Sequence, residues 1–176
     1  TVIIHKIIKQ YYKTVFEWLE KCVNLFKDDF EAEIHALCMN NYLYTLNNTG
    51  NYKEASEIAD RISVYFGIDL QKIDYLKVFK EYINGNDISE EIIQKTNFLW
   101  NYPFSIENDD RRYELVRNQY EAIISLGTDN DYFSLTFSIA GDYANEELKI
   151  GQFEAASIAY RYQREYLYPQ LLEYPD

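Results

Sequence analysis

Glycine, proline and cysteine are scarce in this chain, whose 176 residues include 6 Gly, 3 Pro and 2 Cys. An all-β sandwich or barrel needs more glycine and proline for its many turns, so the composition disfavours that class. Cys22 and Cys38 are too few for a disulfide framework and indicate a reducing compartment. No apolar run approaches the roughly 20 residues of a membrane span, and no signal peptide is visible. We therefore predict a cytoplasmic protein that does not contact a membrane.

Positive charge is also scarce, because 17 Lys and Arg stand against 29 Asp and Glu, which gives a net charge of −12 at pH 7. Proteins hold nucleic acid largely through cations on its phosphates, so we do not expect this chain to bind DNA or RNA itself. The chain is nevertheless 47% hydrophobic and 17% aromatic, with 18 Tyr and 10 Phe. Such a composition is too apolar for a disordered tail and sufficient for a hydrophobic core.

Residue patterns typical of catalysis or metal binding are missing. His35 and Cys38 lie three residues apart on a predicted helix, a spacing that can hold a metal, but no second ligand pair accompanies them. No Gly-rich phosphate loop and no Gly-x-Ser-x-Gly motif occurs. The acidic pairs Glu90-Glu91 and Asp109-Asp110 fall in first turns of helices, where they complement the helix dipole. We therefore predict a protein that is not an enzyme and needs no cofactor or metal.

Apolar residues recur at three- and four-residue steps along nearly the whole chain, which predicts an all-α protein of about eight helices. Asn51 and Asp87, each followed by Glu three residues later, are the predicted N-caps of two of them. The connection at residues 101–110, which contains Pro103, is the least regular. The predicted helices cover approximately residues 3–26, 30–48, 51–66, 69–83, 87–100, 109–126, 131–149 and 152–168.

Two segments of the chain share one turn pattern. Residues 50–59 and 151–160 each read Gly-x-aromatic-x-x-Ala-x-x-x-(Ala or Tyr). In this pattern we expect glycine to release the chain from the first helix and the aromatic residue to pack back on that helix. The alanines would let the second helix approach closely. The matching first-helix packing residues are Leu43 and Leu46 in the earlier segment, and Ala140 and Ala144 in the later one.

This pattern resembles the turn and second helix of a tetratricopeptide repeat, a helix pair with a period of about 34 residues. Gly50 and Gly151 lie 101 residues apart, close to three such periods, with Asn84-Gly85 and Asn118 near the intermediate positions. Either one unit is irregular or one helix is miscounted, near residues 100–110, and the repeat register between residues 84 and 130 stays open. The resemblance implies a right-handed superhelix of antiparallel helix hairpins, built as a single domain over residues 1–176.

The first residue is Thr1 rather than Met, and Val2-Ile3-Ile4 begins within an apolar pattern. We therefore expect this chain to be the C-terminal fragment of a longer protein.

In a tetratricopeptide array, the first helix of each pair lines a concave surface that meets the partner. Asparagine is an indifferent helix former, so its abundance on such a helix favours a functional reason, and a side-chain amide can clamp the backbone of an extended peptide. Tyr44 would add rigid apolar area. The alternative is that these are solvated helix residues. The register implied by the resemblance places on this surface Leu37, Asn40, Tyr44, Asn47 and Asn48, and in the later unit Ser138, Gly141, Asn145 and Lys149.

Two groups of arginines, Arg111-Arg112 with Arg117 and Arg161 with Arg164, are candidates to hold a ligand carboxylate, with ordinary surface ion pairs as the alternative. The last predicted helix also carries tyrosines that cannot all share one face. A homodimer that buries them is therefore a hypothesis. These tyrosines are Tyr160, Tyr162, Tyr166 and Tyr168.

An acidic helical array rich in Asn and Tyr is similar to the peptide-sensing C-terminal domain of Rgg/PlcR/NprR-type (RRNPP) bacterial regulators. That resemblance implies a ligand-sensing domain of a transcription regulator that binds a short signalling peptide in its concave groove. DNA would be bound only through a missing N-terminal helix-turn-helix domain, and an acidic groove would favour a neutral or basic peptide. The alternative is a generic tetratricopeptide-type scaffold or chaperone that binds a protein segment.

Overall fold

A computed structural model describes residues 2–23, 29–84, 89–127 and 133–169. The prediction of an all-α fold with about eight helices is confirmed, and no strand occurs in these ranges. A short 3₁₀ turn at Tyr102–Ser105 follows the fifth helix, and a π turn at Gln163–Leu167 follows the eighth. The helices are α1 (Val2–Val23), α2 (Asp29–Asn48), α3 (Tyr52–Phe66), α4 (Tyr75–Asn84), α5 (Glu90–Asn101), α6 (Asp109–Ser125), α7 (Phe133–Lys149) and α8 (Phe153–Tyr162).

The chain forms two compact units. Unit 1 comprises Thr1–Ile73 and Asp87–Glu107, and unit 2 comprises Asp74–Asn86 and Asn108–Asp176. Each unit has a core of large apolar side chains that are fully buried. In unit 1 these include Leu43, Leu46, Ile62, Phe98 and Leu99, and in unit 2 Phe79, Val116, Ile123, Ile139 and Leu167.

The two turns that share a sequence pattern also share a backbone conformation. Gly50 and Gly151 adopt φ values of 66° and 78°, in the left-handed region that favours glycine. The residue after each glycine has nearly the same φ and ψ, −89° and 65° at Asn51 and −86° and 66° at Gln152. Each of those residues donates its amide to a carbonyl five positions earlier, at 3.1 Å and 2.9 Å. We call α2–α3 the first hairpin and α7–α8 the second hairpin.

The small residues behind these turns are buried as predicted, because Ala55, Ala59, Ala156 and the first-helix residues at 43, 46, 140 and 144 are almost fully inaccessible. Tyr160, which takes the second alanine position in the later copy, is 37% exposed. The aromatic position does not follow the prediction in both copies. Tyr52 is half-buried, whereas Phe153 is 71% exposed, so the expectation that this aromatic residue packs back on its first helix is wrong for Phe153.

Two helices begin later than predicted because a polar side chain further along the chain is the N-cap. The Asp69 carboxylate accepts the amide of Gln71 in a tight turn, and α4 starts only after Asp74, whose Oδ1 accepts the amide of Lys77 at 3.0 Å. At α5 the N-cap is Ser89, whose hydroxyl accepts an amide three residues later. Asp87, the predicted cap, lies outside the described residues.

The predicted N-cap at Asn51 is also wrong in its chemistry. The side chain makes no capping hydrogen bond, and its Nδ2 instead donates to Glu54 Oε2 at 2.8 Å.

Gly141 marks a close approach between α7 and the π turn after α8. The Gln163 side chain is buried and its Nε2 donates to the backbone carbonyl of Phe137 at 2.5 Å. A Cβ at Gly141 would lie 2.7 Å from that Nε2. The absence of a side chain at Gly141 therefore lets Gln163 reach the backbone of α7.

Within the described residues, no helix combines the length and the apolar character needed to cross a bilayer.

Candidate functional site

The middle of the outward face of α2 is open to solvent. Tyr44 is 56% exposed, and Leu37 and Asn48 are exposed beside it. Because an α-helix has 3.6 residues per turn, these three positions fall within one narrow strip of the helix surface. We call this the α2 strip. It contains three of the five residues predicted on this helix.

The other two predicted residues, Asn40 and Asn47, lie at one edge of the α2 strip and contact α5. Asn40 Nδ2 donates to both the backbone carbonyl and the side-chain Oε1 of Gln94, each at 2.8 Å. Asn47 Nδ2 donates to the backbone carbonyl of Asn101 at 3.0 Å. The partner is 54 residues away in both cases, so α2 and α5 run parallel in a fixed register. Both amides donate hydrogen bonds to backbone carbonyls, as predicted for a bound peptide, but these carbonyls belong to α5 of the same chain.

Burial explains why these two amides hold α5. Asn40 is only 6% exposed, and the Oδ1 atoms of both Asn40 and Asn47 are buried with no hydrogen-bond partner among the described residues. A buried polar atom without a partner is costly, so the donated hydrogen bonds have to offset that cost. The donors of both amides are therefore committed to the structure of unit 1.

A cleft of about 340 Å³ lies at the opposite edge of the α2 strip, between α1 and α2. The α2 residues that line it follow the i, i+3, i+4, i+7 spacing of one helix face. None of the lining side chains carries a formal charge, so this cleft is not the acidic groove that the net charge led us to expect. The lining residues are Ile8, Tyr12, Asn41, Tyr44, Thr45 and Asn48.

Several polar groups of this cleft are available for a ligand. Among the described residues, the Asn41 side-chain amide and the Tyr44 hydroxyl have no hydrogen-bond partner. Thr45 donates its hydroxyl to the Asn41 carbonyl at 2.9 Å, and Asn48 Nδ2 donates to the Tyr44 carbonyl at 3.0 Å, which leaves the Asn48 Oδ1 as an acceptor. The cleft thus combines an apolar wall, contributed mainly by Ile8, with both hydrogen-bond donors and acceptors.

Two residues of this cleft, Tyr44 and Asn48, belong to the peptide-binding helix surface predicted from the sequence. The sequence did not predict the other four, Ile8, Tyr12, Asn41 and Thr45. The spacing of residues 41, 44, 45 and 48 was a signal that could have found the α2 face. The two α1 residues had no such signal, because their position depends on how α1 packs on α2.

Glu54 on α3 ties α1 to the first hairpin. Its carboxylate accepts a hydrogen bond from the Tyr42 hydroxyl and lies 3.3 Å from Lys9 Nζ and 3.5 Å from Lys13 Nζ. Burial raises the pKa of Glu54, but the Tyr42 hydrogen bond and the two lysines lower it by more, so the pKa lies below its ordinary value. Burial, followed by the hydrogen bond and charge of Glu54, raises the pKa of Tyr42.

One face of α1 exposes a row of large apolar side chains. The row contains four side chains that follow one another at steps of three, four and seven residues and are each at least 60% exposed. These are Ile4, Ile7, Tyr11 and Trp18. Thr14 occupies the exposed position between the last two. A row of exposed apolar side chains on a surface helix is typical of a protein interaction site. We call this row the α1 stripe.

The residues predicted in the later unit are engaged within unit 2. Asn145 Oδ1 accepts a hydrogen bond from the Tyr160 hydroxyl at 2.6 Å. Lys149 pairs with Glu146, and the Ser138 hydroxyl donates to the carbonyl of Ser134 at 2.9 Å. Together with the close approach at Gly141, these contacts join α7 to α8 or stay within α7.

Two consecutive carboxylates of α7, Glu146 and Glu147, are almost fully buried. Arg112 Nε lies 3.5 Å from Glu146 Oε1, which Lys149 also contacts. Glu147 Oε1 accepts the Tyr113 hydroxyl at 2.8 Å. Each carboxylate is thus compensated by its neighbours, which is what burial of a charge requires.

Glu147 also contributes to the raised pKa of two tyrosines around it. Burial first, and then the hydrogen bond and charge of Glu147, raise the pKa of both Tyr113 and Tyr143. The Tyr143 ring stacks on Tyr120 with centroids 4.2 Å apart. This cluster stabilises the α6–α7 contact.

The described residues contain no group of three or more His, Cys, Asp and Glu that could hold a metal. His35 of the His35/Cys38 pair lies outside the residues whose side chains are described. Burial raises the pKa of the half-buried Cys38 thiol, which disfavours the reactive thiolate.

No protein-family model, curated protein or solved structure matches this chain.

Proposed function

We propose that this chain binds a short peptide in the cleft between α1 and α2, and that it serves as the ligand-sensing domain of a cytoplasmic bacterial transcription regulator. The observation that carries the proposal is that cleft, where Asn41 and Tyr44 present polar groups without partners beside the apolar surface of Ile8. A volume of about 340 Å³ is within the range of small-ligand sites.

The chemistry of the cleft suits an extended, uncharged peptide segment. The Asn41 amide can donate to a peptide carbonyl and accept from a peptide N–H, which reads backbone irrespective of sequence. Ile8 and the Tyr12 ring offer contact for one apolar side chain, and Tyr44 adds an aromatic anchor. Because the lining is uncharged, we expect selectivity from shape and hydrogen bonding.

A peptide that bridges α1 and α2 would favour the state in which α1 is docked on the first hairpin. A ligand shifts a conformational equilibrium by the difference in its affinity for the two states. In the proposed regulator, this shift would change the arrangement of attached DNA-binding domains, and DNA would be contacted only by those domains.

The experiment that tests peptide binding is selection from a random heptapeptide library against the immobilised chain, followed by calorimetry with the enriched peptides. We expect enriched peptides to lose about tenfold in affinity for Tyr44→Ala, because an aromatic anchor is removed. Asn41→Leu, which keeps the side-chain size but removes the amide, should also weaken binding.

The matched control is Val64→Ala, which changes an exposed apolar residue of unit 1 on α3 and outside the cleft. Its affinity should equal that of the unchanged chain. A library with no enriched peptide, or enriched peptides that bind Tyr44→Ala as well as the unchanged chain, would contradict the proposal.

The α1 stripe favours a second candidate function, a tetratricopeptide-type scaffold that binds a protein segment. The two candidates predict different sensitive residues. If the chain is a scaffold that uses the α1 stripe, Ile7→Ser and Trp18→Ser should abolish binding of the protein partner, and Tyr44→Ala should not. If it is a peptide sensor, Tyr44→Ala should weaken peptide binding, and the two α1 substitutions should not. A helix-turn-helix encoded upstream of Thr1 would support the regulator.

A further inference from the structure

A second cleft, of about 450 Å³, lies on the exposed face of α8 and the end of α7 in unit 2. Its apolar walls include Phe153, which is mostly solvent-exposed, and Leu148, which is also exposed. Both large side chains therefore offer apolar surface to a ligand. The lining residues are Leu148, Phe153, Ala156, Ser157, Tyr160, Arg161 and Arg164.

The polar side of this cleft includes two arginines three residues apart, Arg161 at the end of α8 and Arg164 in the π turn that follows it. Arg161 is exposed and forms no ion pair with any residue that the structure describes. Arg164 lies 3.1 Å from the carboxylate of its neighbour Glu165, and its side chain is largely in solvent. Such an exposed pair contributes little, so Glu165 does not prevent Arg164 from binding another anion.

Each arginine of α6 pairs with a carboxylate, as Arg112 does with Glu146. Arg161, in contrast, pairs with none among the described residues, and Arg164 pairs only with its exposed neighbour Glu165. The planar guanidinium fork matches the geometry of a carboxylate and can bind it through two parallel hydrogen bonds. The charge of the cleft is therefore complementary to an organic anion.

Tyr160 gives the cleft a fixed aromatic wall. Its hydroxyl donates to Asn145 Oδ1 at 2.6 Å, which holds the ring against the end of α7. A wall that is already positioned loses little conformational freedom when a ligand binds. The fixed ring of Tyr160 and the exposed ring of Phe153 together favour an aromatic ligand body.

We propose that the α8 cleft binds a small aromatic carboxylate, with its carboxylate between Arg161 and Arg164 and its ring against Phe153 and Tyr160. This site lies in unit 2 and uses none of the residues of the α1–α2 cleft. It goes beyond the peptide-binding proposal, and either proposal can fail while the other stands.

The test is a titration of the isotope-labelled chain with 3-phenylpropionate, followed by NMR of backbone amides and of the arginine Nε–H groups. We expect saturable shifts at α8 and at the Nε–H groups of Arg161 and Arg164. The neutral analogue 3-phenylpropionamide should bind at least about tenfold more weakly, because it lacks the charge-assisted hydrogen bonds. Acetate, which lacks the ring, should also bind more weakly.

Substitutions separate this site from general attraction to positive charge. Arg161→Gln and Arg164→Gln should each weaken 3-phenylpropionate binding about fivefold to tenfold, and Phe153→Ala should weaken it as well. Arg117→Gln is the matched control, because Arg117 is an exposed arginine of unit 2 outside the cleft.

Three results would overturn the proposal. One is equal binding of the acid and the amide, and a second is equal loss of binding in Arg117→Gln. The third is displacement of 3-phenylpropionate by inorganic phosphate at equal concentration, because charge alone would then account for binding. Because both arginines are exposed, we expect the variants to fold as the unchanged chain does, and a thermal melt of each variant checks this.

Discussion

The first and second hairpins have nearly the same turn but different outer surfaces. Gly50 and Gly151 adopt the same left-handed conformation, and the following residues repeat the same φ, ψ and hydrogen bonds. On the first hairpin, the first helix carries the open α2 strip and the cleft with α1. On the second, the first helix carries two buried carboxylates, and the second helix carries the arginine-lined cleft.

The residues that form the hairpin turn therefore differ from the residues that determine which ligand the hairpin can bind. A left-handed glycine and buried small residues are sufficient to form the turn and bring the two helices together. The other residues of each first helix are then set by the neighbouring elements, which differ between the two hairpins. Asn40 and Gly141, each ten residues before its turn glycine, illustrate this: one reaches α5 with an amide, and the other makes room for Gln163.

The largest expected effect tests the buried charges of the second hairpin. Arg112→Met removes the guanidinium next to Glu146, whose side chain is only 4% exposed. We expect the free energy of unfolding of unit 2 to fall by about 3 kcal/mol, since a buried carboxylate loses a partner. Urea denaturation measures this free energy of unfolding. Arg117→Met, which removes an exposed pair with Glu121, should leave the curve nearly unchanged, and equal losses would contradict the role given to Arg112.

The next effect tests the amide contacts of the first hairpin. Asn40→Ala removes two hydrogen bonds to Gln94 and should lower the free energy of unfolding of unit 1 by about 2 kcal/mol. Hydrogen exchange should rise in α2 and α5. The counterpart change Gly141→Ala forces only the flexible end of Gln163 to move, so we expect about 1 kcal/mol. Unchanged exchange in α5 for Asn40→Ala would show that its amide does not hold that helix.

A smaller and equal effect is expected where the hairpins agree. A Cβ at Gly50 or Gly151 would meet nothing within 4 Å, so the cost of alanine comes from the positive φ alone. Each of Gly50→Ala and Gly151→Ala should therefore reduce the free energy of unfolding by about 1 kcal/mol. Thermal denaturation measures both losses, and a much larger loss in one variant than in the other would show that the two turns are not equivalent.

The smallest effect concerns pH and the attachment of α1. The folded pKa of Glu54 is below its unfolded value, so its contribution is present above the unfolded value and is lost as the pH falls through the folded value. Below about pH 4, α1 should therefore loosen from the first hairpin, which amide chemical shifts of α1 would report. Glu54→Gln should abolish this pH dependence, whereas Glu57→Gln, an exposed change on the same helix, should retain it.

The sequence predicted the fold class, both glycine turns and the small residues behind them, because each depends on residues close together in the chain. Of the five α2 residues that it placed on a peptide-binding surface, Leu37, Tyr44 and Asn48 are exposed. It could not predict that Asn40 and Asn47 contact α5, because the partners lie 54 residues away and are selected by tertiary packing. The start of α4 was misplaced because an Asx-type turn at Asp69 competes with a helix N-cap.

The two amide contacts between α2 and α5 have a mechanical consequence. They are separated by two helical turns on both helices, so neither sliding nor twisting of one helix against the other can preserve them. We therefore expect α2 and α5 to move together as one rigid body. α1, whose ionic link to Glu54 is partly exposed to water, is the element that can shift, and raising the ionic strength should release it first.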